Sequence, residues 1–155
     1  MVKTVKQKVY AYITQGGRLL VFRHIDFPEA GTQVPGGTVK EGEDLRVAVL
    51  REAGEETGLE NLVLRRFLGT TRRDFSDAGQ DIVHLRYFYH LEATSAILET
   101  WQHYETDPSE GGTEPIRFEF YWVPISDGMA ELGGENGLGD LLPQFMAMEG
   151  GQDET

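Results

Sequence analysis

The segment Arg51-Glu52-Ala53-Gly54-Glu55-Glu56 spaces three glutamates at i, i+3 and i+4. On a helix, at about 100° of rotation per residue, all three fall on one face, with Glu52 and Glu56 only about 6 Å apart along the axis. Carboxylates this close repel one another by roughly 0.2–0.5 kcal/mol per pair, and a helix shaped for stability alone interleaves lysines at such positions. A divalent cation reverses that penalty. Oxygen-only ligation suits Mg2+ or Mn2+, which commonly keep coordination positions for water and for the phosphate oxygens of a substrate. Taken alone, the triplet is more often a solvated acidic face.

The elements that must carry these residues can be read from pattern. Glu43 to Thr57 predicts a helix: Glu43 and Asp44 suit its N-terminal end, Leu45, Val49, Leu50 and Ala53 supply an apolar stripe, and Gly58 can end it. Before it, Lys8 to Ile13 and Arg18 to His24 read as a hairpin around Thr14-Gln15-Gly16-Gly17. A loop from Ile25 to Gln33 leads to Val34-Pro35-Gly36-Gly37, where two glycines leave backbone carbonyls approachable. After the helix, Leu62 to Thr71, Ile82 to Leu91 and Phe118 to Val123 read as strands, with a polar turn at Asp74 to Gln80. Thr94 to Pro115 reads as a long surface loop in which Ala96 to Tyr104 could form a short helix, and Leu138 to Met148 as a final helix. Five or six strands with one central and one terminal helix indicate an α/β fold without regular βαβ alternation. Residues 1–148 are expected to form a single domain, and 149–155 a frayed tail.

Composition limits what such a fold can do. The 155 residues hold 26 Asp plus Glu against 14 Lys plus Arg, net −12, with 39% hydrophobic residues and no cysteine. A disulfide framework, a thiolate zinc site and a cysteine nucleophile are thereby excluded. No apolar run approaches the roughly 20 residues of a membrane span, and none follows the N-terminal lysines as a signal peptide requires. The expectation is a cytoplasmic protein with no membrane partner. The acidic total also argues against a nucleic-acid partner, without excluding a small phosphorylated substrate. The excess is uneven: residues 1–91 carry 13 Lys plus Arg and 12 Asp plus Glu, whereas residues 92–155 carry Arg117 alone against 14 acids.

The glutamates also stand in a longer pattern. From Gly37 the chain fits G-x5-E-x7-R-E-U-x-E-E-x-G-U at Gly37, Glu43, Arg51, Glu52, Ala53, Glu55, Glu56, Gly58 and Leu59, where U is apolar. This resembles the Nudix box of the Nudix hydrolases, and a chance match at every position is on the order of one in a billion. Ala53 is smaller than the aliphatic residue usual there. The resemblance implies a Nudix-type α/β/α sandwich with a mixed β-sheet between helices. It further implies Mg2+- or Mn2+-dependent hydrolysis of a nucleoside diphosphate linked to another moiety X, by water attack on phosphorus. Residue by residue, it implies metal ligands at Glu52, Glu55 and Glu56, with the Gly36 carbonyl as a further one. Glu43 would hold the helix start or a metal-bound water, and Arg51 would orient the glutamates. The water's proton would go to Glu52 or Glu56, or to a glutamate outside the box, with Glu119 and Glu114 the first candidates and Glu105 and Glu110 behind them.

Specificity lies outside the box. The proline of ADP-ribose-type members is replaced by Asp74, and the tyrosine of diadenosine-polyphosphate-type members by Ser76 and its neighbours, so neither subclass is marked. Arg72 and Arg73, together with Arg23 and Arg86 from neighbouring strands, are candidates for holding phosphates or X; strand alternation should let at most one of Arg72 and Arg73 face the site. Phe27 and Trp101, in expected loops, are better candidates for stacking on a base than Phe22, Tyr87 and Tyr89. The four histidines show no metal-binding spacing. The substrate is expected to be a small phosphorylated molecule of the nucleotide type, and a homodimer is compatible with the sequence. Two alternatives stay open: a hydrolase of a non-nucleotide pyrophosphate, and a catalytically silent Nudix domain that binds a nucleotide as a sensor.

Overall fold

The computed structural model describes residues 3–95, 97–105, 116–132 and 136–153. Its centre is a seven-stranded mixed sheet made of β1 (Thr4–Gln15), β2 (Arg18–His24), β3 (Gly36–Thr38), β4 (Leu62–Asp74), β5 (Ile82–Ala93), β6 (Thr100–Glu105) and β7 (Ile116–Pro124). The strand order is β4-β5-β1-β2-β7-β6, with β3 paired to β1. Among the described residues only β1 and β5 pair in parallel.

Alternation along the strands sorts side chains onto two cores. On one face Val9, Ala11, Ile13, Phe22 and Phe120 pack against Ala48, Val49 and Ala53 of helix α1 (Leu45–Thr57). On the other, Tyr12, Leu19, Val21 and Phe88 pack against Leu132 of α2 (Gly128–Leu132) and Leu142 and Phe145 of α3 (Leu142–Asp153). The result is the α/β/α sandwich that the box implied. No helix among the described residues is long and apolar enough to cross a membrane.

The expected hairpin forms, with Gly16 and Gly17 at φ of 58° and 78°, the left-handed pair a two-residue turn of this hand requires. Its strands then part. β1 and β2 pair only at Thr14↔Leu19 and Gln15↔Arg18, and the chain after β2 returns into the gap: Gln33 bridges Phe22 while β3 takes Lys8, Val9 and Tyr10 as partners. The split is what brings the two glycines of the box beside α1.

Helix α1 begins at Leu45, two residues later than expected, because Asp44 is the N-cap and its side chain accepts the Arg46 N–H at 2.8 Å. It ends as expected at Gly58, left-handed at φ 77°. The buried stripe differs from the one read in the sequence. Ala48 lies in the core and Leu50 is 37% exposed, since small alanines let the helix settle close to the sheet and turn Leu50 outward. The small Ala53 is one of those contacts.

Two further expectations are corrected. The segment read as loop or short helix contains β6, an edge strand whose Trp101 and His103 stand opposite Phe120 and Phe118 of β7; its pairing is tertiary and leaves little local pattern. The terminal helix starts at Leu142 rather than Leu138, which puts Pro143 in its first turn, where a missing N–H is tolerated. It then runs to Asp153, into residues expected to fray.

Candidate active site

The box residues meet in an open cleft of about 910 Å3, bordered by Gly36 and Gly37 of β3, Glu52, Glu55 and Glu56 of α1, Lys8 and Tyr10 of β1 and His103 of β6. Two close approaches fix this geometry. A side chain at Gly36 would collide with the Tyr10 ring and the Val9 carbonyl, and one at Gly37 would collide with the Glu52 carboxylate. Gly36 therefore requires glycine, for space rather than for an unusual φ, whereas at Gly37 a side chain would have to displace the Glu52 carboxylate. The β1–β3 ladder uses Pro35 O, bonded by Ala11 N–H, and Val39 N–H, which donates to Gln7 O. Alternation along that ladder turns the N–H and carbonyl of Gly36 to the opposite edge, and there the Gly36 N–H reaches Glu56 Oε1 at 3.4 Å. The Gly36 carbonyl points the same way, towards the glutamates.

Arg51 is the hub of the carboxylates. Its Nε and Nη2 donate to the two oxygens of Glu43, both at 2.8 Å; its Nη1 donates to Glu52 at 2.7 Å and to Glu55 at 3.3 Å, and its Nη2 also reaches the Thr38 carbonyl at 3.2 Å. The i, i+4 contact with Glu55 foreseen from spacing is the longest of its carboxylate bonds. Glu43 also accepts the Lys40 N–H at 2.9 Å. The Arg51 hydrogen bonds and this backbone donor hold the Glu43 carboxyl down at about 2. Glu43 thus fixes Arg51, and the helix start belongs to Asp44. Glu52 is shifted the other way: burial raises its pKa in spite of the Arg51 hydrogen bond. A carboxylate so placed takes up a proton more readily than an ordinary solvated one.

The donor set fits a hard divalent cation in chemistry and placement, being three carboxylates on one helix face with a carbonyl opposite. Among the described residues, no three acidic or histidine side chains are already drawn to a common point, because Arg51 engages Glu52 and Glu55. A cation held here by these glutamates would require those carboxylates to rotate from Arg51 towards Glu56 and Gly36.

The other candidates lie elsewhere. Glu119 pairs with Arg23, its cross-strand neighbour. Alternation with Phe118 and Phe120, which face α1, puts both residues on the far side of the sheet, and neither borders the cleft. Arg72, Arg73 and Arg86 border a second cavity of about 340 Å3, separate from the cleft. Both Arg72 and Arg73 border it and neither borders the cleft; β4 is an edge strand, and a long side chain can wrap around its free edge. Phe27 is 55% exposed, edge-on to His24 and away from the cleft. Trp101 is structural: it stacks on Phe120 and donates Nε1–H to the Thr57 carbonyl at 2.9 Å. Of the aromatics, Phe22 does border the cleft, whereas Tyr89 is in the core. Glu110, Glu114 and the side chain of Glu105 lie outside the described residues.

Sequence reasoning missed Lys8 and His103. Lys8 shares a strand face with Tyr10, and its Nζ donates to Thr38 Oγ1 at 2.6 Å at the cleft wall. His103, which has no metal-binding spacing, places Nε2 2.9 Å from the Glu55 carbonyl and so ties β6 to the last turn of α1. The alternation Lys6, Lys8, Tyr10, Tyr12 was a signal for the first; nothing local signalled the second.

Comparison with known proteins agrees with this geometry. A family model for the NUDIX domain matches residues 5–145. An RNA pyrophosphohydrolase of Caulobacter vibrioides is 36% identical over 98 residues, 55% of this chain and 57% of that protein. Another from Gluconobacter oxydans is 43% identical over 51 residues, 33% of this chain and 30% of that protein. The chain therefore spans less than two thirds of the length of these curated relatives. Among solved structures, a NUDIX hydrolase from Nitrosomonas europaea superposes with TM-score 0.65 at 21% identity, over 93% of this chain and 90% of that one. A MutT protein from Methanosarcina mazei Go1 does so with TM-score 0.64 at 20% identity, over 96% and 98%. These two likenesses establish the fold. With the family model extending over nearly the whole sandwich and the box glutamates gathered in its cleft, the chain belongs to the Nudix hydrolase family.

Proposed function

We propose that this protein is a Mg2+- or Mn2+-dependent pyrophosphohydrolase that cleaves a phosphoanhydride at the 5′ end of a nucleotide or of an RNA. The observation that carries this is the cleft bordered by Gly36, Glu52, Glu55 and Glu56, in which Arg51 is bonded to Glu52 and Glu55 and the Gly36 N–H to Glu56. The RNA end enters because the curated relatives are named RNA pyrophosphohydrolases. The net charge of −12 does not oppose it, since recognition of a terminal phosphate chain depends on the local field of the cleft rather than on the total.

Glu52, Glu55 and Glu56 would hold the cation with the Gly36 carbonyl. The cation would neutralise phosphate oxygens and acidify the attacking water. Lys8, Lys40 and Arg51, all on the cleft wall, offer further positive charge to a phosphate chain. Arg51, anchored by Glu43, restrains Glu52 and Glu55, and the buried Glu52 or its neighbour Glu56 would take the proton from water.

The test is a panel of substrates in Mg2+ and Mn2+: nucleoside diphosphate derivatives, nucleoside triphosphates, 5′-triphosphorylated RNA, and inositol and isoprenoid pyrophosphates. Oxygen-labelled water would identify the phosphorus attacked. Turnover confined to the non-nucleotide members would overturn the nucleotide reading, and tight binding with no turnover at millimolar Mg2+ would favour a silent domain.

A further inference from the structure

Helix α1, like any α-helix, leaves its last carbonyls without helical donors. The Gly58 N–H closes the ladder on the Gly54 carbonyl. The next N–H, that of Leu59, would serve the Glu55 carbonyl if the helix continued, but it donates to Thr57 Oγ1 at 3.0 Å instead. The main-chain carbonyl of a proposed metal ligand is thus left to the tertiary structure, and edge strand β6 supplies its donor. His103 stands opposite Phe118, whose ring faces α1, and its Nε2 lies 2.9 Å from the Glu55 carbonyl. Because a carbonyl only accepts, Nε2 carries the proton.

Two further observations single out this contact. The imidazole lies against Gly58: a Cβ there would come within 2.9 Å of His103 Cε1 and 3.0 Å of Nδ1. The last glycine of the box therefore makes room for His103 as well as ending the helix at φ 77°. The glutamates, moreover, are unequally held by their side chains. That of Glu52 is 16% exposed with its Arg51 bond at 2.7 Å, whereas that of Glu55 is 62% exposed with its bond at 3.3 Å. Arg51 restrains Glu52 far better than Glu55, whose carboxylate follows the backbone of the last turn. Trp101, two residues earlier on the same face of β6, donates to the Thr57 carbonyl at 2.9 Å, beyond the glutamates. His103 borders the cleft and Trp101 does not.

We propose that His103 is a positioning residue of the active site: its Nε2–H holds the Glu55 carbonyl and so sets the last turn of α1, with the Glu55 and Glu56 carboxylates, against β3. The triplet is then held from both ends, at Glu52 by Arg51 and at Glu55 by a side chain from a strand outside the box. The catalytic consequence rests on the functional reading above; the hold on the turn does not.

Two variants of the full chain divide the contact. His103→Phe keeps a ring over Gly58 and removes the donor; His103→Gln keeps an N–H donor in the place of Nε2. Without divalent cations, amide hydrogen exchange at residues 55–58 should be faster than wild type in His103→Phe and close to wild type in His103→Gln. Mn2+ affinity and kcat on the best panel substrate should fall about 10- to 100-fold in His103→Phe, with KM changed less than about threefold, and recover in His103→Gln. Trp101→Phe, which removes the neighbouring donor, is the control: it should lower the urea midpoint and leave Mn2+ affinity close to wild type. Unchanged exchange and Mn2+ affinity in His103→Phe, or equal losses in His103→Phe and His103→Gln, would overturn the assignment. So would a Mn2+ affinity that falls as far in Trp101→Phe, which would make β6 a support of the fold alone. A wild type that binds no Mn2+ and hydrolyses no panel member would refute the hydrolase reading and the catalytic consequence with it, while the exchange comparison would still decide the hold on the turn.

Discussion

Gly37→Ala separates positioning from stability at a single atom. The added Cβ would lie 2.8 Å from Glu52 Oε1 and closer still to Oε2 and Cδ, against an ordinary contact of 3.4 Å or more. What it meets is the end of a flexible side chain, so the fold can accommodate it, but only by moving the carboxylate by about 1 Å and breaking the 2.7 Å bond from Arg51. Displacement of that size in a catalytic group costs about 100-fold in turnover, while loss of one partly exposed hydrogen bond costs only about 1 kcal/mol of stability. Gly36→Ala provides the contrast. There the Cβ meets the Tyr10 ring and the Val9 backbone carbonyl, which cannot rotate away, so β3 must leave its ladder and stability should fall by about 2–3 kcal/mol. Urea unfolding, Mn2+ titration and hydrolysis of the best panel substrate should therefore show Gly37→Ala folded but slow and weak in metal, and Gly36→Ala destabilised. Wild-type Mn2+ affinity and turnover in Gly37→Ala would refute the placement of Glu52 against β3.

Glu43→Gln should lower turnover by 10- to 100-fold with little change in far-UV circular dichroism, because it removes the charge that fixes Arg51 at two points; equal loss of fold and activity would assign Glu43 to the helix start instead. Trp101→Phe should cost about 1–2 kcal/mol in urea unfolding, since the Thr57 carbonyl at the end of α1 loses its donor, and an unchanged midpoint would count against the docking of β6 on that end. His84 and His90 are both held neutral, mainly by burial, with pKa values lowered to about 4. Unfolding therefore takes up protons below about pH 6.5, and stability should be fully present above that pH and fall as pH drops towards 4, by at most about 1.4 kcal/mol per pH unit for each histidine. His90→Gln should flatten that slope in a pH series of unfolding curves; an identical slope would place the proton uptake elsewhere.

The active-site helix was legible because its information is local. Glu52, Glu55 and Glu56 share a face by periodicity alone, Gly58 ends the helix by backbone conformation, and the interval from Gly37 is a chain distance. The Gly16-Gly17 turn was legible for the same reason. What escaped depends on contacts between distant segments. The wedge of β3 between β1 and β2, the docking of β6 on the end of α1, and the burial of Arg86 rather than its exposure in the cleft are set by the assembled sheet. Arg72, Arg73 and Arg86 were read as candidates for holding phosphates, yet residue type and strand parity could not tell which of two cavities they border. Glu119 shows the same limit: its sequence position was suggestive, but the parity of Phe118 and Phe120 turns it to the far face.

The central claim is that Glu52, Glu55 and Glu56 form a metal-dependent hydrolytic site. It is tested most directly by the hydrolysis rate of a 5′-triphosphorylated RNA and of nucleoside diphosphate derivatives, with and without Mg2+, in wild type and in Glu56→Gln. The account predicts turnover that requires the metal and falls at least 100-fold in a variant whose unfolding curve matches wild type; hydrolysis without divalent cation, or full activity in Glu56→Gln, would contradict it.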